Sequence, residues 1–200
     1  LNHPNVAPLL GVTWTAEGQL GFVSEFVDLG TLRSVVATMH RDMQWSLRLR
    51  MALDVARGMA YLHSVNVLHR ALRSSNVLVT RVFRCKLTDV GLLGFTSYEL
   101  ADVPASAAVE YTAPEVLRTH HAEPASDVYS FGVLLAELAA GHAPFSECSL
   151  STADKRRAIE SGKLLVRPSP ACPRPVADLI LECTCAQPSE RPSFVALERR

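Results

Sequence analysis

No sign of charge dominates this chain: 20 Lys and Arg offset 20 Asp and Glu over 200 residues, and the sequence pI is near 7.2. A balanced surface lacks the basic field that draws nucleic acid or anionic membrane, so neither partner is expected. The one basic cluster, Lys155-Arg156-Arg157, reads as the solvated face of a helix. Cysteine is sparse too. The five residues (Cys85, Cys148, Cys172, Cys183 and Cys185) form an odd set with no C-x-x-C pair, which argues against a disulfide framework and for a reducing compartment. Cys183-Thr184-Cys185 has half the ligands of a metal site but no second pair, so small core residues on a helix are the better reading. The longest apolar stretch, Phe131 to Ala140, is interrupted by Glu137 and is too short to span a bilayer. No internal repeat or linker divides the chain, and Pro168, Pro170, Pro173 and Pro175 mark a loop between helices rather than a domain boundary. Nor does a charged leader precede an apolar run at the start, so no targeting signal is expected.

What is present suffices for a packed core, since 48% of residues are hydrophobic. Trp45 to Ser64 carries Leu47, Met51, Val55, Met59 and Leu62 at three- and four-residue spacing, which predicts a helix with one buried face and Ser46 as its N-cap. Asn76-Val77-Leu78-Val79 and Cys85-Lys86-Leu87-Thr88 flank Arg81 to Arg84 as two short strands, a hairpin that brackets Asn76 and Asp89 and turns both towards one cleft. Val128 to Leu138 is nearly all apolar and predicts a helix buried on most sides, ended by Gly141 and Pro144. Ala158 to Ser161 and Val176 to Cys185 predict further helices around it.

The chemistry-bearing motifs come in a fixed order. His69-Arg70-Ala71-Leu72-Arg73-Ser74-Ser75-Asn76 resembles the catalytic loop of protein kinases, His-Arg-Asp-Leu followed by three variable residues and Asn, with Ala71 in the place of the aspartate. Downstream, Asp89-Val90-Gly91 is similar to the family's Asp-Phe-Gly, and Ala113-Pro114-Glu115 to the Ala-Pro-Glu that closes its activation segment. Ser126 to Val133 resembles the start of the family's central helix, whose aspartate, here Asp127, caps the catalytic-loop backbone. Pro188 to Phe194 resembles the closing segment, whose arginine, here Arg191, pairs with Glu115. Upstream, Leu1-Asn2-His3-Pro4-Asn5-Val6 looks like the turn into the fourth strand of the small lobe, and Val6 to Trp14 like that strand. Leu20 to Val27 looks like the fifth strand, gatekeeper and hinge, and Gly30-Thr31-Leu32 opens the next helix.

The resemblance implies an α+β, protein-kinase-like fold. Residues 1–27 would be a small-lobe remnant, its fourth and fifth strands and the hinge, and residues 28–200 a complete, mostly helical large lobe. It implies ATP and magnesium as cofactors, with Ser24, Glu25, Val27 and Leu78 around the nucleotide and Asn76 and Asp89 as metal ligands. His69 would serve as a core histidine beneath the loop. Arg70 would pair with a phosphate on the activation segment, where Thr96, Ser97, Tyr98 and Ser106 are acceptors, or with a nearby carboxylate. Arg73 is the cation many tyrosine kinases carry in that place.

The departures set the functional expectation. A positioned general base contributes roughly 10²- to 10⁴-fold to a proton transfer, and Ala71 offers only a methyl group. The Thr that bonds the catalytic aspartate in Ser/Thr kinases corresponds to Ala108. The Gly-rich loop, the third-strand lysine and its glutamate partner are not among these residues. Ser74-Ser75 and the Cys-rich closing helix resemble the tyrosine-kinase-like group, whereas Tyr111 to Glu115 leans towards tyrosine kinases. The expected function is a pseudokinase, a signalling or interaction module that is cytoplasmic or the cytoplasmic domain of a larger protein, and whose partners are other signalling proteins. The alternative is a fragment of an active ATP-dependent Ser/Thr or Tyr protein kinase.

Overall fold

The computed structural model describes residues 1–91 and 109–200, which sort into a helical body and a small hairpin. Strands β1 (Leu9–Trp14) and β2 (Leu20–Ser24) pair antiparallel with Trp14 opposite Leu20, and the register shifts between Leu9 and Gly11. Val6, expected to lead into β1, lies elsewhere. It bridges Leu87 of a second hairpin, β3 (Val77–Val79) and β4 (Cys85–Leu87), in which Val77 faces Leu87. The Leu87 N–H donates to the Asn5 carbonyl at 2.9 Å, the Ala7 N–H to the Leu87 carbonyl at 2.8 Å, and Asn5 Nδ2 to the Cys85 carbonyl at 2.9 Å. Backbone pairing thus fixes residues 5–7 to the helical body before the first strand begins.

Helix α1 (Leu32–Met39) starts at Thr31, whose hydroxyl accepts from the Ser34 N–H at 3.3 Å, an N-cap bond that satisfies one orphan donor. Helix α2 (Trp45–Ser64) follows the predicted spacing, with Met51, Val55, Met59 and Leu62 fully buried and Leu47 only partly so. Its N-cap is Gln44, without a side-chain bond, and Ser46 falls inside the first turn. Arg48 does the holding there. Its Nε donates to the Met43 carbonyl at 3.0 Å and its Nη2 to the His40 carbonyl at 2.7 Å. Further along α2, a Cβ on Gly58 would lie 2.7 Å from the Asn5 carbonyl oxygen and 2.8 Å from the Leu87 side chain. The helix can therefore approach β4 only as glycine.

Among the described residues five more helices follow: α3 (Pro114–Thr119), α4 (Pro124–Ala140), α5 (Thr152–Glu160), α6 (Arg174–Cys183) and α7 (Phe194–Leu197). α4 is buried along nearly its whole length, as its composition predicts, and ends on Gly141 with φ 81°. The carbonyls of its last turn, Leu138 and Ala139, accept from Arg48 Nη1 at 3.0 Å each, so a side chain from α2 closes the end of α4. α5 begins six residues before the predicted Ala158, because it is polar and only Ile159 on it is buried. Within it Lys155 is not a solvated charge: it is mostly buried and pairs with Glu110 at 3.1 Å. α6 stops at Cys183, leaving Cys185 beyond the helix with its Sγ 3.0 Å from Glu190 Oε2. No helix among the described residues is long and apolar enough to cross a membrane.

Candidate functional site

The loop from His69 to Asn76 runs between α2 and β3, and Asp127 in the first turn of α4 shapes it. Asp127 Oδ2 accepts from the His69 N–H at 3.0 Å and Oδ1 from the Arg70 N–H at 2.9 Å, while His63 Nε2 lies 2.9 Å from Oδ2. Arg70 has φ 64°, a left-handed backbone that costs on the order of 1–3 kcal/mol for a non-glycine residue, so these bonds offset a strained turn. The His69 ring is fully buried, and neither ring nitrogen has a hydrogen-bond partner among the described residues. Burial lowers its pKa against the pull of Asp127, which keeps the ring neutral.

Farther along the loop the contacts turn inwards. Asn76 Nδ2 donates to the Ala71 carbonyl at 2.9 Å, and Asn76 Oδ1 accepts from Arg73 Nε and Ser75 Oγ at 3.3 Å each. Ser74 Oγ donates to Glu137 Oε1 at 2.8 Å, and the Tyr111 hydroxyl donates to Glu137 Oε2. Glu137 sits on α4 and is 3% exposed. Burial raises its pKa, and the two hydroxyl donors only partly reverse that. This carboxyl joins the loop, the segment at Tyr111 and the central helix. Sequence reading treated it only as an interruption of an apolar run, although an acidic residue in such a run is itself the signal.

Asp89 follows β4 with φ 59° and is exposed, and the Thr88 N–H donates to the Asn76 carbonyl at 3.0 Å. The backbones of Asn76 and Thr88-Asp89 thus lie side by side at one end of the β3–β4 hairpin. On the expected nucleotide side, Ser24 ends β2 and is exposed, Glu25 pairs with Lys86, and Val27 is buried. The chain then runs along β3: the Leu29 N–H donates to the Val79 carbonyl, the Val79 N–H to the Gly30 carbonyl, and Leu78 bridges Thr31. A cavity of about 350 Å³, lined by Glu137, His142, Phe145, Cys148 and Lys163 among others, includes none of the 69–76 loop. Thr96, Ser97, Tyr98, Ser106 and Ala108 lie outside the described residues.

Glu115 and Arg191 form a bidentate pair, with Nη1 to Oε1 at 2.7 Å and Nη2 to Oε2 at 2.9 Å. Arg191 is fully enclosed, stacks 5.2 Å from the Tyr129 ring and also donates to the Ala125 and Cys185 carbonyls. Burial pushes the Glu115 pKa up, but the donors from Arg191, its own backbone and Ser126 outweigh it and leave the carboxyl below its ordinary value. Two further buried charges went unseen in the sequence: Arg48, described above, and Asp54. Asp54 accepts from Arg84 Nε at 2.8 Å, Arg84 Nη2 at 2.7 Å and the Cys85 N–H at 2.9 Å, tying α2 to β4.

This arrangement of motifs and lobes is that of a protein kinase. The chain matches the family described as protein tyrosine and serine/threonine kinase over residues 1–200, and it belongs to that family. It is 38% identical over 196 residues to the megakaryocyte-associated tyrosine-protein kinase of Rattus norvegicus, covering 97% of this chain and 41% of that one. Against the serine/threonine-protein kinase CTR1 of Arabidopsis thaliana it is 36% identical over 203 residues, 98% of this chain and 24% of the relative. Against a probable serine/threonine-protein kinase of Dictyostelium discoideum it is 34% identical over 199 residues, 97% and 18% respectively. The chain thus spans less than half the length of these curated relatives.

The family uses ATP and magnesium generally, and an amide oxygen with a carboxylate is a donor set that magnesium accepts. In this chain the Asn76 side chain is already engaged within the loop. Its amide oxygen has two lone pairs, and Arg73 Nε and Ser75 Oγ take both.

Proposed function

We propose that the chain is a kinase-like signalling module whose phosphotransfer is impaired, of the tyrosine-kinase-like group. One observation carries the reading: a loop held in shape by Asp127 and closed on itself by Asn76 presents Ala71 where the family has its proton acceptor. Phosphoryl transfer depends mainly on positioning and charge neutralisation, and the Gly-rich loop and lysine that supply them are not in these residues. Ser24, Glu25, Val27 and Leu78 are proposed to surround a nucleotide base, and Asp89 to face its phosphates. The module acts in the cytoplasm through other signalling proteins.

A second reading, an ATP-dependent Ser/Thr or Tyr kinase with the remaining parts elsewhere in a longer polypeptide, is favoured by the retained Asn76 and Asp89. Ala71→Asp separates the two. On the first reading this variant of the 200 residues gives no transfer above background, because the phosphates are still not positioned. Turnover restored by that single change would overturn it.

A further inference from the structure

We infer that Arg73 is an internal cation seated on Asn76, closing the amide oxygen that the loop would otherwise offer to a metal ion. The inference rests on reading residues 69–76 as a kinase loop that has lost its aspartate, and it concerns regulation of that same site.

The observations are local. Arg73 is half-buried and, among the described residues, forms no ion pair with a carboxylate; its Nε reaches Asn76 Oδ1 at 3.3 Å. Ser75 Oγ approaches the same oxygen at 3.3 Å, and the amide nitrogen is committed to the Ala71 carbonyl at 2.9 Å. The Asn76 side chain is therefore saturated from within the loop and buried with it. A guanidinium cannot lose its charge in a protein, so no working pH removes the cation.

A magnesium ion binds oxygen at about 2.0–2.1 Å. Seated on Asn76 Oδ1, it would lie within about 5 Å of the Arg73 guanidinium, where like charges repel and the half-buried setting weakens solvent screening. Displacing the arginine first would leave a half-buried cation without its acceptor. The cause lies two residues upstream: Ala71 supplies no carboxylate to hold the guanidinium elsewhere. Substitution at position 71 therefore acts twice, removing a proton acceptor and releasing Arg73 onto the metal ligand.

The test uses the full chain and Mn²⁺ alone, with bound metal counted from the loss of the free-ion electron paramagnetic resonance signal. Arg73→Leu is expected to tighten Mn²⁺ binding at least tenfold, about 1.4 kcal/mol. The gain should vanish in the Arg73→Leu/Asn76→Ala double variant. Equal affinity for Arg73→Leu and the unaltered chain overturns the inference. So does a gain that survives the loss of Asn76, which would assign the effect to the general field of the loop. A carbon-13 titration with Mg²⁺ needs no variant: the Asn76 Cγ resonance stays in place in the unaltered chain, and its displacement also overturns the inference. Neither measurement reads phosphotransfer, so failure here and failure of the proposed function are separate outcomes.

Discussion

The two hairpins among the described residues are built from similar residues and have opposite fates. In β3 and β4 the side chains of Val77, Val79, Cys85 and Leu87 are at most 1% exposed; β3 packs against α1, β4 packs against α2, and the β4 edge at Leu87 is bonded to Asn5 and Ala7. In β1 and β2, Leu9, Leu10, Val12, Trp14, Leu20, Phe22 and Val23 are 43 to 70% exposed on both faces, and neither strand carries a charge. Both hairpins pair antiparallel, the first with one register shift, so strand pairing alone does not account for the difference. What differs is cover: a two-stranded hairpin is marginal alone and becomes part of a core only when something packs on its face. Apolar strands with open edges and no gatekeeping charge template pairing with other chains.

The comparison predicts that damage to the body is expensive and damage to the β1–β2 hairpin is not. The largest effect belongs to the lock beneath the site: Glu115→Ala leaves Arg191 enclosed without its partner, which costs roughly 3–5 kcal/mol in a denaturant melt. Because the folded Glu115 pKa is lowered, its stabilisation is full above the unfolded carboxyl pKa of about 4.3 and is lost as pH falls through the folded value. The stability gap between the unaltered chain and Glu115→Gln therefore narrows on acidification below about pH 4.3; a gap that widens there would contradict the sign.

Next comes Leu87→Ala in β4, expected to cost roughly 2–5 kcal/mol. The same substitution at half-exposed Leu20 in β2 should stay within about 0.5 kcal/mol. Equal losses would erase the distinction between the hairpins. Phe22→Lys should change stability least of all, and its effect appears in association instead. The unaltered chain is expected to self-associate or aggregate in size-exclusion chromatography, and the lysine variant to elute closer to a monomer. A clean, concentration-independent monomer for the unaltered chain would show that the open edge is protected.

The frame of the site was legible in the sequence because its motifs carry their own spacing: the His69 to Asn76 loop, Asp89, Asp127 and the Glu115 and Arg191 partners stand in kinase order. Helices with a strong apolar stripe, α2 and α4, were legible as well. Less visible were contacts made by polar side chains across large sequence distances. Arg48 closes α4 about 90 residues away, Asp54 holds β4, and Glu137 reaches Ser74 and Tyr111. A periodicity of apolar residues is silent about which charges will be buried with partners. It also missed the front of α5, whose polar residues bury little, and the docking of Val6 on β4, a backbone pairing that no local pattern encodes.

Phosphate transfer by the unaltered 200-residue chain tests the central claim most directly. With ATP, Mg²⁺ or Mn²⁺, and peptides offering Ser, Thr and Tyr, the account predicts labelled product no higher than that of an Asn76→Ala/Asp89→Ala chain. Product above that level, on any of the three residues, would contradict it.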